Sequence, residues 1–106
     1  MQLTTIGATG LEVSSVSFGT APLGQLFGPV PLENGVAAVD EAIDLGITFF
    51  DSSPYYGDAE ERLGIALKGK RDRVLVGTKA GRNPGEIFDF SAEGIRRNVE
   101  ESLRRL

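Results

Sequence analysis

Three times along this chain a short β-prone run is followed, after a loop, by a helix-length segment carrying one apolar stripe. That order constrains the fold more than any other feature. Each connection exceeds the dozen or so residues that a parallel crossover needs. The expectation is an α/β fold with a parallel sheet, built from a repeated structural unit without sequence identity between copies. There are 14 glycines among the 106 residues, nearly twice the usual share, which suits many tight strand-to-helix turns.

The first run, Ser15 to Gly19, sets Val16 and Phe18 on one face and Ser17 and Gly19 on the other. Thr20 to Val30 holds Pro22, Gly24, Gly28 and Pro29. It reads as a long loop, and such loops often carry function. Pro31 suits the first position of a helix, whose stripe is Leu32, Val36, Val39 and Ile43 and whose end is marked by Gly46. Ile47 to Asp51 is nearly continuously apolar, as a strand buried on both faces would be. Asp58 and Glu61 form the pattern of a capping box ahead of a helix with Ala59, Leu63, Ala66 and Leu67 inward and Gly69 at its end.

Lys68 to Arg73 is a charged, solvated loop, and Val74 to Lys79 the third strand. Gly81 to Asp89 reads as a further loop. Ser91 is a good N-cap, Phe90 and Ile95 can form a hydrophobic staple, and Ile95, Val99, Leu103 and Leu106 make the third stripe. Ahead of these units, Gln2–Thr5 and Leu11–Ser14 flank a two-glycine loop and read as a hairpin.

Composition closes several routes. The chain has no cysteine and no histidine, so thiol chemistry, a zinc finger and a Ser-His-Asp site are excluded within these residues. Eleven basic against fifteen acidic residues lack the basic field that nucleic-acid binding needs. No apolar stretch approaches the ~20 residues of a spanning helix, and the N-terminus has no signal-peptide pattern. The expectation is a cytoplasmic protein with no membrane, nucleic-acid or metal partner.

The three runs end in Gly19, Asp51 and Lys79. Alternation puts Phe49 with Asp51, and Leu75 with Gly77 and Lys79. Val16, Phe18, Phe50 and Val76 face the other way, toward the helices. Gly19, Asp51 and Lys79 therefore project together from the carboxyl ends of parallel strands, which in an α/β barrel is the mouth where sites are built. An Asp–Lys pair there is also what a purely structural salt bridge looks like. Tyr56 adds to it, because a loop from Asp51 to Tyr56 can fold the phenol back over the strand end. A free tyrosine, with a pKa of about 10, is a poor proton-transfer group at neutral pH. A neighbouring ammonium favours its ionised form. Tyr56, Lys79 and Asp51 thus make a workable proton donor, tuning group and orienting group.

Taken together, Gly7-Ala8-Thr9-Gly10-Leu11-Glu12-Val13-Ser14, Phe18-Gly19-Thr20, Phe50-Asp51-Ser52-Ser53-Pro54-Tyr55-Tyr56-Gly57, Glu60-Glu61-Arg62-Leu63-Gly64 and Gly77-Thr78-Lys79 resemble the aldo-keto reductase family. Pro22-Leu23-Gly24, Phe27-Gly28-Pro29, Ser53-Pro54-Tyr55-Tyr56 and Phe88-Asp89-Phe90-Ser91 are similar to its aldose 1-dehydrogenase branch, which includes L-galactose and L-fucose dehydrogenases.

The resemblance implies the N-terminal portion of a (β/α)8 TIM barrel, with the hairpin (1–14) closing the bottom and residues 15–106 forming the first three βα units of one partial domain. It implies NADP or NAD as cofactor and a small carbonyl or sugar substrate. It assigns proton transfer to Tyr56, tuning to Lys79, orientation to Asp51, and the nicotinamide end to Gly19, Thr20, Ala21 and Asp51.

The family's catalytic histidine and its grip on the adenosine phosphate have no counterpart here. A whole barrel takes about 250 residues. The expectation is therefore the first third of an enzyme, inactive and prone to self-association when alone. The residues by themselves also admit a small half-barrel interaction module.

Overall fold

The computed structural model describes residues 1–106. Strands β1 (Leu3–Thr5) and β2 (Glu12–Ser14) pair antiparallel, with Thr4 opposite Val13. Gly7 and Gly10 take positive φ in the turn between them, where a Cβ would be strained. The hairpin is fastened by a reciprocal pair. Ser14 N–H donates to Thr48 Oγ1 at 2.8 Å, and Thr48 N–H donates to Ser14 Oγ at 2.9 Å. Thr48 just precedes β4 (Phe49–Asp51), so the hairpin sits at the amino end of the sheet, away from Asp51.

β3 (Phe18–Gly19), β4 and β5 (Leu75–Gly77) form a parallel sheet in that order. β3 is shorter than the run Ser15 to Gly19 suggests. Ser15 N–H donates to Gln2 O, and Val16 O accepts from Ser14 Oγ, so these backbone groups serve the hairpin rather than the sheet. Val16, expected under a helix, is exposed as a result.

α1 (Leu32–Asp44) follows Pro31, which is the cap (ψ 140°) rather than the first helical residue. It ends in a Schellman motif. Ile47 N–H donates to Ala42 O and Gly46 N–H to Ile43 O, both at 2.9 Å, with Gly46 at φ 91°. In α2 (Ala59–Ala66), Ala59, Leu63, Ala66 and the following Leu67 are all buried, as the stripe predicts. The capping box does not form. Asp58 makes no side-chain cap bond; its carboxylate receives Arg62 Nε–H at 2.8 Å instead, a charge-assisted bond stronger than one from a neutral amide. The solvated stretch Lys68 to Arg73 holds a short turn of 3-10 helix, and Lys70 pairs with Asp40 of α1.

One core joins Leu23, Val39, Ala42, Ile43, Phe50, Leu63, Ala66, Leu67 and Val74, with Phe18 and Val76 packed against it. The Phe50 and Phe18 rings lie 5.2 Å apart. Each fully buried large side chain contributes about 1.5–3 kcal/mol. The face carrying Phe49 and Asp51 looks away from this core.

The last third departs most from expectation. Gly81 to Asp89 is not a plain loop but contains a small antiparallel hairpin, β6 (Arg82–Asn83) with β7 (Ile87–Phe88). The Phe90 ring lies over Gly81 and stacks with Phe88 at 6.4 Å. α3 (Ala92–Arg105) starts at Ser91 as expected, whose Oγ accepts Gly94 N–H. Its buried face, however, is Gly94, Asn98 and Ser102; of the expected stripe Val99 and Leu103 are exposed, Leu103 by 75%, while Ile95 and Leu106 are half-buried, Leu106 against the core. The polar face can turn inward because its groups find partners there. Asn98 Oδ1 accepts Gly81 N–H at 3.0 Å, Asn98 Nδ2 donates to Asn83 Oδ1 at 2.6 Å, and Ser102 Oγ donates to Glu60 Oε1 at 3.0 Å. No helix is long and apolar enough to cross a membrane.

Candidate active site

Gly19, Asp51 and Gly77 stand side by side in one register row across the strand ends. Glycines flank Asp51 on both sides in this row, and the backbone is open on the Gly19 side. A Cβ on Gly19 would meet nothing within 4 Å, whereas the Phe49 ring lies over Gly77. Lys79, two residues beyond β5, brings its ammonium to Asp51 Oδ1 at 2.9 Å, Asp51 Oδ2 at 2.8 Å and Ser52 O at 2.8 Å. All three hydrogens of the ammonium thus have acceptors nearby. The same ammonium lies 5.0 Å from the centre of the Tyr56 ring. Partial desolvation pulls the Lys79 pKa down. The hydrogen bonds and charge of Asp51, with a smaller part from Tyr56, outweigh it and hold the group above the ordinary lysine range.

The backbone explains why Tyr56 returns to the strand end. Ser52 N–H donates to Gly77 O, Tyr56 N–H to Ser53 O, and Ala59 N–H to Tyr56 O. The segment from 52 to 59 is therefore a chain of turns running straight into α2. Ser52 and Ser53 are buried and Tyr56 half-buried. Thr20 is fully buried. Its N–H donates to Asp51 O, and its hydroxyl donates to Ser52 Oγ at 2.8 Å. Of the residues assigned to the nicotinamide end, Gly19 and Ala21 thus stay reachable, while the Thr20 side chain braces the turn after Asp51.

Two groups of residues have contacts that the sequence reading does not assign, although Glu60 and Tyr55 stand in its motifs. Glu60, 2% exposed, receives hydrogen bonds from Thr78 Oγ1, Ser102 Oγ and Arg105. A glutamate on the inward side of the second stripe, next to Ala59, was the available signal. Tyr55 donates to Glu86 Oε1 at 2.7 Å, and the Arg82 guanidinium lies 3.7 Å from the centre of its ring. Glu86 raises the Tyr55 pKa, while Tyr55 and Arg82 together hold Glu86 below the usual carboxylate range. Nothing in the sequence pairs residues 55 and 86. Beside Lys79, a groove of about 470 Å³ lined by Val76, Ala80, Val99, Leu103 and Leu106 runs along α3.

The architecture is thus a parallel α/β unit presenting a lysine–aspartate pair and a tyrosine at the carboxyl ends of its strands. The aldo/keto reductase family model matches residues 15–106, and the chain belongs to that family. It is 51% identical over its whole length to L-galactose dehydrogenase of Arabidopsis thaliana and covers 34% of that protein. It is 34% identical over 95% of its length to pyridoxal 4-dehydrogenase of Microbacterium luteolum, covering 38% of it. An aldo-keto reductase of Bacillus halodurans, solved in its holo form, superposes with a TM-score of 0.88 at 32% identity. That match covers all of this chain and 36% of the solved one. The chain therefore spans about a third of the length of the relatives it matches. The α/β class and the correspondence to the N-terminal portion of an aldo-keto reductase barrel are borne out.

Proposed function

We propose that this chain carries the proton-transfer side of the active site of an NAD(P)-dependent oxidoreductase acting on an aldose or a related carbonyl–alcohol pair. A cytoplasmic location goes with this reading. The observation that carries it is one ammonium held by Asp51 and Ser52 O while facing the Tyr56 ring. A structural salt bridge needs no phenol beside it. The sugar class rests on the similarity to L-galactose dehydrogenase.

The open backbone at Gly19 beside Asp51 fits a flat ring at the strand ends, and Ala21 adjoins it. Gly19, Ala21 and Asp51 would hold the nicotinamide end, with Thr20 bracing them. When bound, the nicotinamide takes up or supplies the hydride. The protein's own part is the proton. In oxidation the Tyr56 oxygen accepts the proton of the C1 hydroxyl; in reduction it returns the proton to the carbonyl oxygen. Lys79 sets a fixed cation beside the oxygen where negative charge develops. Asp51 fixes the direction of that cation.

The test uses the protein expressed from its complete reading frame, with NAD⁺ and NADP⁺ in turn and L-galactose among a panel of aldoses. Saturable turnover is expected. Tyr56→Phe should lower it by ~10² to 10⁴ with cofactor affinity little changed. Turnover within a few-fold of wild type would remove Tyr56 from the role.

A further inference from the structure

Glu60 is the most deeply buried ionisable side chain beside the site, at 2% exposure, and the proton-transfer reading does not use it. Burying a carboxylate is costly unless it is fully hydrogen-bonded. Its partners come from α3 and from the segment just after β5. Oε1 accepts from Thr78 Oγ1 at 2.6 Å and from Ser102 Oγ at 3.0 Å; Oε2 accepts from Arg105 at 3.3 Å. Two of these bonds tie α2 to α3. The third, and shortest, reaches the residue immediately before Lys79.

Glu60 also stands close along the chain to Tyr56. Tyr56 O accepts Ala59 N–H at 3.0 Å in the turn that opens α2, and Glu60 is the next residue. The proton-transfer groups therefore lie on a closed loop of contacts. It runs from Tyr56 through the Ala59 turn to Glu60, across to Thr78, on to Lys79, and from its ammonium to Asp51 and Ser52 O. Thr78 and Lys79 lie past the last sheet-paired residue of β5, Gly77. Past the paired sheet, that strand end is held by two sets of side-chain bonds: Lys79 to Asp51 and Ser52 O on the site side, and Thr78 to Glu60 behind it.

We infer that Glu60 is a positioning residue: through Thr78 it sets where the Lys79 ammonium sits relative to Tyr56. The claim rests on the assignment of proton transfer to Tyr56 and Lys79. It separates the Glu60–Thr78 bond, which would govern turnover, from the Glu60–Ser102 bond, which would only hold helices together. Misplacement of a reacting group by about 1 Å can cost ~10²-fold in rate.

The experiment again uses the protein from its complete reading frame. Thr78→Val keeps the shape and removes the donor; Thr78→Ser restores it; Ser102→Ala cuts only the helix bond. With L-galactose as probe, Thr78→Val should lower kcat by about 10-fold or more with the KM for cofactor unchanged. Thr78→Ser should recover most of that loss, and Ser102→Ala should leave turnover as it was. Glu60→Gln should behave like Thr78→Val; if it does not fold, the Thr78 pair carries the test.

The second readout needs no activity. Crystal structures of wild type and Thr78→Val should show the Lys79 ammonium moved from its place 5.0 Å from the Tyr56 ring centre, and that of Ser102→Ala should not. An unmoved ammonium, or equal losses of kcat in Thr78→Val and Ser102→Ala, would overturn the inference. Wild-type turnover in Tyr56→Phe would instead overturn the proton-transfer assignment, and the two failures are distinguishable.

Discussion

A Cβ on Gly24 would stand 1.7 Å from the Tyr56 carbonyl oxygen, and one on Gly57 2.4 Å from the Gly24 carbonyl oxygen. The long loop after β3 and the Tyr56 turn thus meet backbone to backbone, and neither side can yield a flexible side chain. Gly24→Ala must push the Tyr56 turn away or displace the loop. Overpacking of this kind costs about 1–3 kcal/mol. It should appear as a lower melting temperature together with a drop in kcat. A variant with full kcat and unchanged stability would show that the turn tolerates a shift and that the close contact is incidental. In the sequence Gly24 belongs to the long loop and to the stretch Pro22-Leu23-Gly24, but the contact itself leaves no trace there, because its neighbour in space lies more than thirty residues away.

At the level of elements, the β6–β7 hairpin hangs on carboxylates. Glu86, at φ 59° in the turn, accepts from Tyr55 and is paired with Arg82. Both interactions hold its pKa below the usual range, the hydrogen bond from Tyr55 first. Asp89 is likewise lowered, by Ser91 first. A carboxylate depressed in the folded state adds stability that is fully present above its unfolded pKa of about 4. That stability is lost as pH falls through the lower folded value. Acidification below pH ~4 should therefore loosen the hairpin. Cross-strand NMR contacts between Arg82 and Phe88 should fade there while those of β4 and β5 persist. Glu86→Gln should already weaken them at neutral pH. Contacts that survive to the acid unfolding of the whole chain would show that the hairpin does not depend on these carboxylates.

For the molecule as a whole, helices cover only one face of the sheet. β3 and β5 are edges with no further strand, and Val99 and Leu103 stand exposed along the groove beside Lys79. Open edges and uncovered apolar surface favour association. The 106-residue chain by itself is expected to sediment as dimers or larger species at micromolar concentration and to show no NAD(P)-coupled turnover with aldoses. A monodisperse monomer that unfolds cooperatively would favour a self-sufficient half-barrel module instead.

The order of elements was legible because local patterns cause it. Leu63, Ala66 and Leu67 share a helix face by spacing alone, Gly46 can take φ 91° because it lacks a Cβ, and alternation puts Phe50 and Asp51 on opposite sides of one strand. The meeting of Asp51 with Lys79 was legible for the same reason, since parallel strands in register present their ends together. What spacing could not decide was which face of α3 turns inward. Of its stripe Ile95, Val99, Leu103 and Leu106, the middle pair Val99 and Leu103 lost to Gly94, Asn98 and Ser102, because buried partners for Asn98 and Ser102 wait on Gly81, Asn83 and Glu60. Those partners come from distant parts of the chain. The same holds for Glu60 beneath Thr78 and for Glu86 against Tyr55. A hydrogen bond between residues far apart in sequence leaves no periodic trace, so only the folded arrangement decides it.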